Sequence, residues 1–198
     1  KLIIASVALA AFVSSYKKNN NDTPTPTTTT TTDSVVTLSG DIAADMTLDA
    51  TKKYLLKGFV FVTKGATLHI PAGTIIMGDK ATKGTLVVTR GSKIDAVGTA
   101  TKPVIFTSAQ ASGARREGDW GGVIILGKST VNASGGESKI EGGLVPTSGG
   151  DEKSYIYYGG TDANDNSGTL KYVRIEFAGI AYSPDNEING LTMGGVGA

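Results

Sequence analysis

The sequence predicts an all-β protein, a right-handed single-stranded parallel β-helix in which short strands stack in successive coils. From residue 35 onward, short apolar stretches alternate with glycine-containing turns. No segment keeps the apolar period of about 3.6 residues that marks a helix. An internal repeat of 26 residues has the length of one solenoid coil. These three observations favour a solenoid of β-strands over a helical fold.

The composition narrows the classes of function. A net charge of +1 gives neither a basic field for nucleic acid nor an acidic field for a basic partner. The absence of cysteine from the sequence excludes disulfides and thiolate metal sites. The single histidine, His69, makes a histidine zinc site or a Ser-His-Asp triad hard to build. We therefore expect no nucleic-acid partner and no required cofactor.

The first 32 residues have the pattern of an exported protein. Residues 1–15 (KLIIASVALAAFVSS) place a short apolar run after a lysine, which predicts a signal peptide. The run is shorter than the roughly 20 apolar residues of a membrane-spanning helix. Residues 16–32 are rich in threonine and proline and predict a disordered tether. We expect membrane contact only through the N-terminus, with the β-helix domain over residues 33–198.

The repeat defines the coil. Residues 62–68 (VTKGATL) align with residues 88–94 (VTRGSKI), at an offset of 26. Each copy joins an apolar strand, a basic-glycine turn and a strand of alternating character. One coil cannot bury its own apolar side, so stacking is required. In the first copy we expect Leu68 and Ile70 to point inward and Thr67 and His69 to point outward.

Later strands are less regular. We expect them over residues 122–126 (GVIIL), 170–177 (LKYVRIEF) and 189–193 (NGLTM). In the second of these, alternation predicts that Val173, Ile175 and Phe177 face the interior.

Three long stretches carry a family resemblance. They are residues 70–108, residues 118–128 (GDWGGVIILGK) and residues 165–197. They resemble exported β-helix proteins of Bacteroidota, which are mostly uncharacterised. The resemblance implies a pectate-lyase-like right-handed β-helix and a cell-surface or outer-membrane location. More coils usually follow a GGVG segment in such proteins, so we expect a domain truncated at its C-terminus.

The leader resembles that of Bacteroidota surface lipoproteins, because Ser14-Ser15 precedes a Lys-Lys-Asn-Asn-Asn-Asp segment and a threonine/proline spacer. In that family a cysteine follows the serines and receives the lipid. Here Tyr16 stands in that place, and a tyrosine cannot form the thioether. Lipidation is therefore excluded for the sequence as written, which leaves three alternatives: ordinary cleavage of the leader, a leader that is retained, or a sequence variation at Tyr16.

The loop over residues 162–168 suggests a metal site. Its oxygen-bearing side chains are Asp162, Asn164, Asp165 and Asn166, the ligand type that Ca²⁺ prefers. The same residues also fill plain turns, because they tolerate left-handed backbone and bond their own main chain. We expect a plain turn and retain Ca²⁺ as the one candidate cofactor.

Three further residues are candidates for chemistry. Arg174 and Glu176 lie two apart on one strand and resemble the arginine and acidic residues of β-helix polysaccharide lyases. We expect a surface ion pair instead. Trp120 in the GDWGG motif is a candidate platform for a sugar ring, although a position in the core is favoured.

Two classes of function remain, with a third behind them. The favoured one is a non-enzymatic surface protein whose partners are glycans or other surface proteins. The alternative is a polysaccharide lyase or glycoside hydrolase that acts on anionic glycans. The third is a structural assembly subunit. The sequence shows no complete catalytic set, which is why the first is preferred.

Overall fold

The structure is a computed structural model that describes residues 34–147, 149–184 and 186–197. The predicted signal peptide and tether lie outside these residues. Within them no helix is long and apolar enough to cross a membrane. The strands are β1 (Val35–Ile42), β2 (Met46–Thr47), β3 (Lys53–Val62), β4 (Thr67–Pro71), β5 (Ile75–Gly78), β6 (Thr85–Val88), β7 (Lys93–Val97), β8 (Val104–Ser108), β9 (Val123–Leu126), β10 (Glu137–Lys139), β11 (Tyr157–Gly159), β12 (Gly168–Lys171), β13 (Val173–Ile175), β14 (Ala181–Ser183), β15 (Asn186–Glu187) and β16 (Leu191–Gly194). A short helix, α1, spans Glu152–Ile156, and a 3-10 turn spans Ser134–Gly136.

The strands form the three faces of a parallel β-helix. The first face stacks the N-terminal halves of β1 and β3 with β5, β8 and β13. The second stacks the C-terminal halves of β1 and β3 with β6, β9 and β16. The third stacks β2, β4, β7 and β12. Every pairing within the three faces is parallel, so the predicted fold class is confirmed.

The 26-residue repeat of the sequence matches the register in which the strands of neighbouring coils pair. Val62 pairs with Val88, and Leu68 pairs with Ile94, each at the predicted offset of 26. Leu68 and Ile70 are both 1% exposed, which confirms their inward orientation. On the first face the offset grows to 30, since Ile75 pairs with Ile105. Residues 99–102 form a turn that accommodates the difference.

The prediction for residues 170–177 is partly wrong. The chain turns a corner at Tyr172, whose φ is 50°, and the stretch divides between β12 on the third face and β13 on the first. Val173 and Ile175 pack against the core as expected. Phe177 does not, because it follows the end of β13 with a φ of 60° and is 38% exposed. Alternation fails here because it assumes one continuous strand.

Strands β6 and β9 in the middle of the second face are buried on both sides. Its inward residues join the core inside the coil, and its outward residues, such as Ile124 and Leu126, form a second cluster. That cluster is closed by Ile156 and other residues of the segment between β9 and β12, which we call the insertion (residues 129–162). All four residues of β9 are buried, as expected for a strand covered on both faces. The insertion therefore hides the middle of this face from solvent.

Candidate functional site

A groove of about 810 Å³ lies where the insertion meets the corners that follow the second face. One wall consists of corner residues from successive coils, and the other comes from the insertion. The lining residues are Asp41, Thr63, Lys64, Thr89, Arg90, Lys128, Glu137, Gly149, Gly150, Asp151, Ser154, Tyr155, Gly159, Gly160, Thr161 and Asp162. The groove is predominantly polar and is rich in both hydrogen-bond donors and acceptors.

The corner wall carries a row of cations because the repeat places a basic residue before a turn glycine. A backbone hydrogen bond of 3.1 Å from the N–H of Ala66 to the carbonyl oxygen of Thr63 closes the first turn. A bond of 2.9 Å from the N–H of Ser92 to the carbonyl oxygen of Thr89 closes the second. Gly65 and Gly91 have φ near 80°, a backbone conformation that glycine adopts without strain. Lys64 and Arg90 precede them, and Lys128 occupies the corner of the next coil.

Arg90 is held by the insertion. Its Nη1 donates to Glu137 Oε1 at 2.6 Å and to the carbonyl oxygen of Gly159 at 3.0 Å. Its Nη2 donates to the carbonyl oxygen of Lys153 at 2.9 Å. Hydrogen bonds from Arg90 and then Lys153 lower the pKa of Glu137, which keeps this carboxylate ionised. The arginine therefore fastens the insertion to the coil.

A second polar link joins the insertion to β1. The hydroxyl of Tyr155 donates to Asp41 Oδ2, and Thr147 Oγ1 donates to Asp41 Oδ1. The bond to Asp41, followed by burial, raises the pKa of Tyr155, so the phenol remains a proton donor. Tyr155 therefore serves to position the insertion and is unsuited to act as a base.

The other two carboxylates of the lining bond the protein backbone. Asp151 is the N-cap of α1, and its Oδ2 accepts from the N–H and the hydroxyl of Ser154. Asp162 Oδ1 accepts from the N–H of Asn164 at 2.9 Å. Each carboxylate in the groove thus has a donor from the protein itself.

The residues of the candidate calcium loop make hydrogen bonds within turns. Asp162 lines the groove, and Asn166 Oδ1 accepts from the N–H of Gly168. Asp165 is buried and accepts from Ser167 Oγ and the N–H of Gly197, while Asn164 is exposed. In the described part of the chain no group of three or more His, Cys, Asp or Glu side chains could hold a metal ion. The side chains of Asp162 and Asn166 bond the backbone of their own loop.

Arg174 and Glu176 form an ion pair on the first face, between Nη2 and Oε1. Glu176 also accepts from Thr107 Oγ1 at 3.2 Å. Neither residue lines the groove. The structure thus places these two candidates in the surface pair that the sequence favoured.

Trp120 cannot stack on a sugar in this structure, because its side chain is fully buried. Its indole Nε1 donates to the backbone carbonyl of Glu176 at 2.8 Å. The preceding residue, Asp119, is equally buried and accepts from Lys80, Ser108 and the N–H of Arg116. The GDWGG motif is therefore structural.

Acid is expected to destabilise the fold through Asp119. Burial opposes ionisation, but the hydrogen bonds from Lys80, Ser108 and the Arg116 N–H outweigh it and lower the pKa to about 2. The folded pKa lies below the ordinary value of 3.8, so this stabilisation is present above about pH 4 and is lost as the pH falls towards 2. The loss amounts to about 2 kcal/mol.

Urea unfolding of the protein and of Asp119→Asn, followed from neutral to acidic pH, measures this effect. The variant should be less stable at neutral pH and less sensitive to acid. The matched control is Glu117→Gln, which removes an exposed carboxylate nearby. Equal acid sensitivity in Asp119→Asn and the unmodified protein would contradict the assignment.

The groove was not predicted from the sequence as a site. The basic-glycine turn marks the repeat, and it is the signal in the sequence for Lys64 and Arg90. The partners of Arg90 could not be inferred, because Glu137 and Gly159 lie 47 and 69 residues further along the chain.

Comparison with known protein families gives a match that covers most of the chain. Residues 40–198 match the family described as a pectate-lyase-like beta helix domain. Neither the curated proteins nor the solved structures contain a match to the chain.

Proposed function

The chain belongs to the pectate-lyase-like β-helix family, and we propose that it is an exported cell-surface protein that binds a glycan in the groove without cleaving it. The observation that carries the proposal is the groove itself. Sugar hydroxyls both donate and accept hydrogen bonds, and the lining offers ammonium, carboxylate, hydroxyl and backbone groups side by side. Export is supported by the leader and the tether in the sequence.

The state of the groove's ionisable residues favours binding over catalysis. Arg90 is engaged by three acceptors and is not available to remove a proton. Tyr155 has a raised pKa and stays protonated. The proposed binding requires no cofactor. Contact with another surface protein and a role as an assembly subunit remain alternatives for the same surface.

Binding of oligosaccharides to the chain, measured by titration calorimetry over a panel of plant and microbial glycans, tests the proposal. We expect binding that is lost in Thr161→Trp, since Thr161 is exposed in the groove and an indole would fill the space. Thr101→Trp, at an exposed corner outside the groove, is the matched control and should bind normally.

The same panel separates the competing functions. Accumulation of unsaturated or hydrolysed products would replace the proposal with the lyase or hydrolase alternative. Failure of every glycan to bind, with the fold intact by circular dichroism, would overturn glycan binding.

A further inference from the structure

Asn189-Gly190, the only Asn-Gly pair in the sequence, lies between β15 and β16. The side chain of Asn189 is exposed, and its amide makes no hydrogen bond within residues 34–147, 149–184 and 186–197. The backbone N–H of Gly190 likewise has no acceptor in the described part of the chain. The side-chain amide and the backbone nitrogen that follows it are therefore both free to react with each other.

Deamidation of asparagine requires this pair of groups. The backbone nitrogen of Gly190 attacks Cγ of Asn189 and closes a succinimide ring, while the side-chain nitrogen takes the proton of the Gly190 N–H and leaves as ammonia. Glycine favours the attack because it has no Cβ to restrict the backbone. Water then adds to either ring carbonyl and returns a proton to the Gly190 nitrogen. Opening at Cγ gives aspartate, and opening at the main-chain carbonyl gives isoaspartate, in which the main chain runs through the side chain.

The fold restrains this pair on both sides without including it in a strand. The N–H of Ile188 donates to the carbonyl oxygen of Ile180 at 3.1 Å, and the carbonyl oxygen of Gly190 accepts from the N–H of Val123 at 3.0 Å. Between these bonds, Asn189 and Gly190 form a bend outside β15 and β16. Rotation within this bend brings the two groups together, so we expect the folded protein to react, more slowly than the unfolded chain.

The other asparagines among the described residues lack this combination, because each precedes a residue that carries a Cβ. They are Asn132, Asn164, Asn166 and Asn186. Two of them also use the side-chain oxygen as an acceptor. Asn166 Oδ1 accepts from the N–H of Gly168 at 2.8 Å. Asn186 Oδ1 accepts from the N–H of Gly142 at 2.6 Å. We therefore expect Asn189 to react first.

An isoaspartate at residue 189 is incompatible with the packing at the start of β16. It lengthens the main chain, and the peptide link that it lengthens fits closely against the corner before β9. A Cβ on Gly122 would lie only 2.3 Å from the carbonyl oxygen of Asn189. The bond from Val123 to Gly190 holds the same link, next to the pairing of Leu191 with Val123. The longer main chain therefore displaces the start of β16.

Strand β16 also supports the insertion. A Cβ on Gly194 would lie 2.5 Å from Cγ of Tyr158, so the ring of this β11 residue rests directly on β16. The carbonyl oxygen of Gly195 accepts from the N–H of Ser129 at 2.8 Å, at the start of the insertion. Release of β16 therefore removes contacts that hold β11.

We propose that Asn189-Gly190 deamidates spontaneously in the folded protein, and that isoaspartate at this position releases β16 from β9 and loosens β11 beside it. The site gives the second face a chemical ageing that depends on time and pH and requires only water. It is independent of glycan binding in the groove.

Incubation of the full chain at neutral and alkaline pH, followed by peptide mass spectrometry and enzymatic methylation of isoaspartate, tests the site. We expect conversion at residue 189, faster at alkaline pH because the amide nitrogen attacks as its anion. Gly190→Ala should slow the conversion about fivefold, since a Cβ narrows the backbone conformations available to residue 190. The fold accommodates this variant, because the added Cβ would lie 3.6 Å from Ile175 Cγ2 and the φ of Gly190 is not left-handed.

Amide hydrogen exchange of the isoaspartate form, separated by ion exchange, tests the structural consequence. Exchange over residues 191–194 and 157–159 should accelerate about tenfold, the effect of one lost hydrogen bond. Exchange in β4 and β7 should not change. Freshly purified Asn189→Asp is the matched control, because it carries the charge of the product on an ordinary main chain, and it should exchange like the unmodified protein.

Each part of the proposal has an outcome that overturns it. Conversion at another asparagine first, or conversion only in the urea-unfolded chain, would overturn the site. Normal exchange of β16 in the isoaspartate form, or equal acceleration in Asn189→Asp, would overturn release by the lengthened main chain. Faster exchange in β16 with unchanged exchange in β11 would overturn the link to the insertion.

Discussion

Replacing Trp120 by alanine is expected to lower the free energy of unfolding by about 3–5 kcal/mol. The side chain is fully buried in the core inside the coil. Its place depends on Gly78, where a Cβ would lie 2.4 Å from Trp120 Cβ. The variant loses the buried ring, leaves a cavity and strands the carbonyl of Glu176 that the indole now satisfies.

Urea unfolding followed by circular dichroism measures this loss as a lower midpoint. Trp120→Phe keeps an aromatic ring but not the N–H donor, so it should be intermediate. Tyr172→Ala is the matched control, since Tyr172 is an aromatic residue that is 53% exposed, and it should change stability little. A Trp120→Ala midpoint as high as that of the control would show that the ring is not part of the core.

The coil could be predicted from the sequence because its determinants are local. The pattern of Val62-Thr63-Lys64-Gly65 recurs at Val88 with one basic residue exchanged for another, and strand pairing then follows from stacking. Inward and outward positions along a strand follow from alternation, as Leu68 and Ile70 show. The repeat and the alternation can therefore be predicted from residues that are close together in the sequence.

The groove could not be predicted, because it depends on how the insertion returns to the coil. Asp41 and Tyr155 are 114 residues apart, and no periodicity links them. The same limit applies to Trp120: the GDWGG motif suits both an exposed platform and a buried ring. Only the neighbouring coil, with Gly78 beneath the indole, decides between them.

The insertion is expected to detach locally when Arg90 is replaced by methionine. Methionine keeps most of the aliphatic stem but removes the guanidinium, and with it the bonds to Glu137 Oε1 and to the carbonyls of Gly159 and Lys153. The side chain is only 15% exposed, so water does not readily replace these bonds. Amide hydrogen exchange over residues 137–159 should accelerate about 30-fold.

Exchange in β4 and β7 should stay unchanged, because the third face does not contact Arg90 through any of these bonds. Lys64→Met is the matched control, since it removes a cation one coil away that has no partner among the described residues. Arg90→Lys should restore part of the protection, because an ammonium group can reach Glu137 but cannot span all three acceptors. Acceleration that is equal in the insertion and the coil would instead mean that Arg90 supports the whole domain. The insertion forms one wall of the groove, so a local effect would make Arg90 the residue that sets the groove's shape.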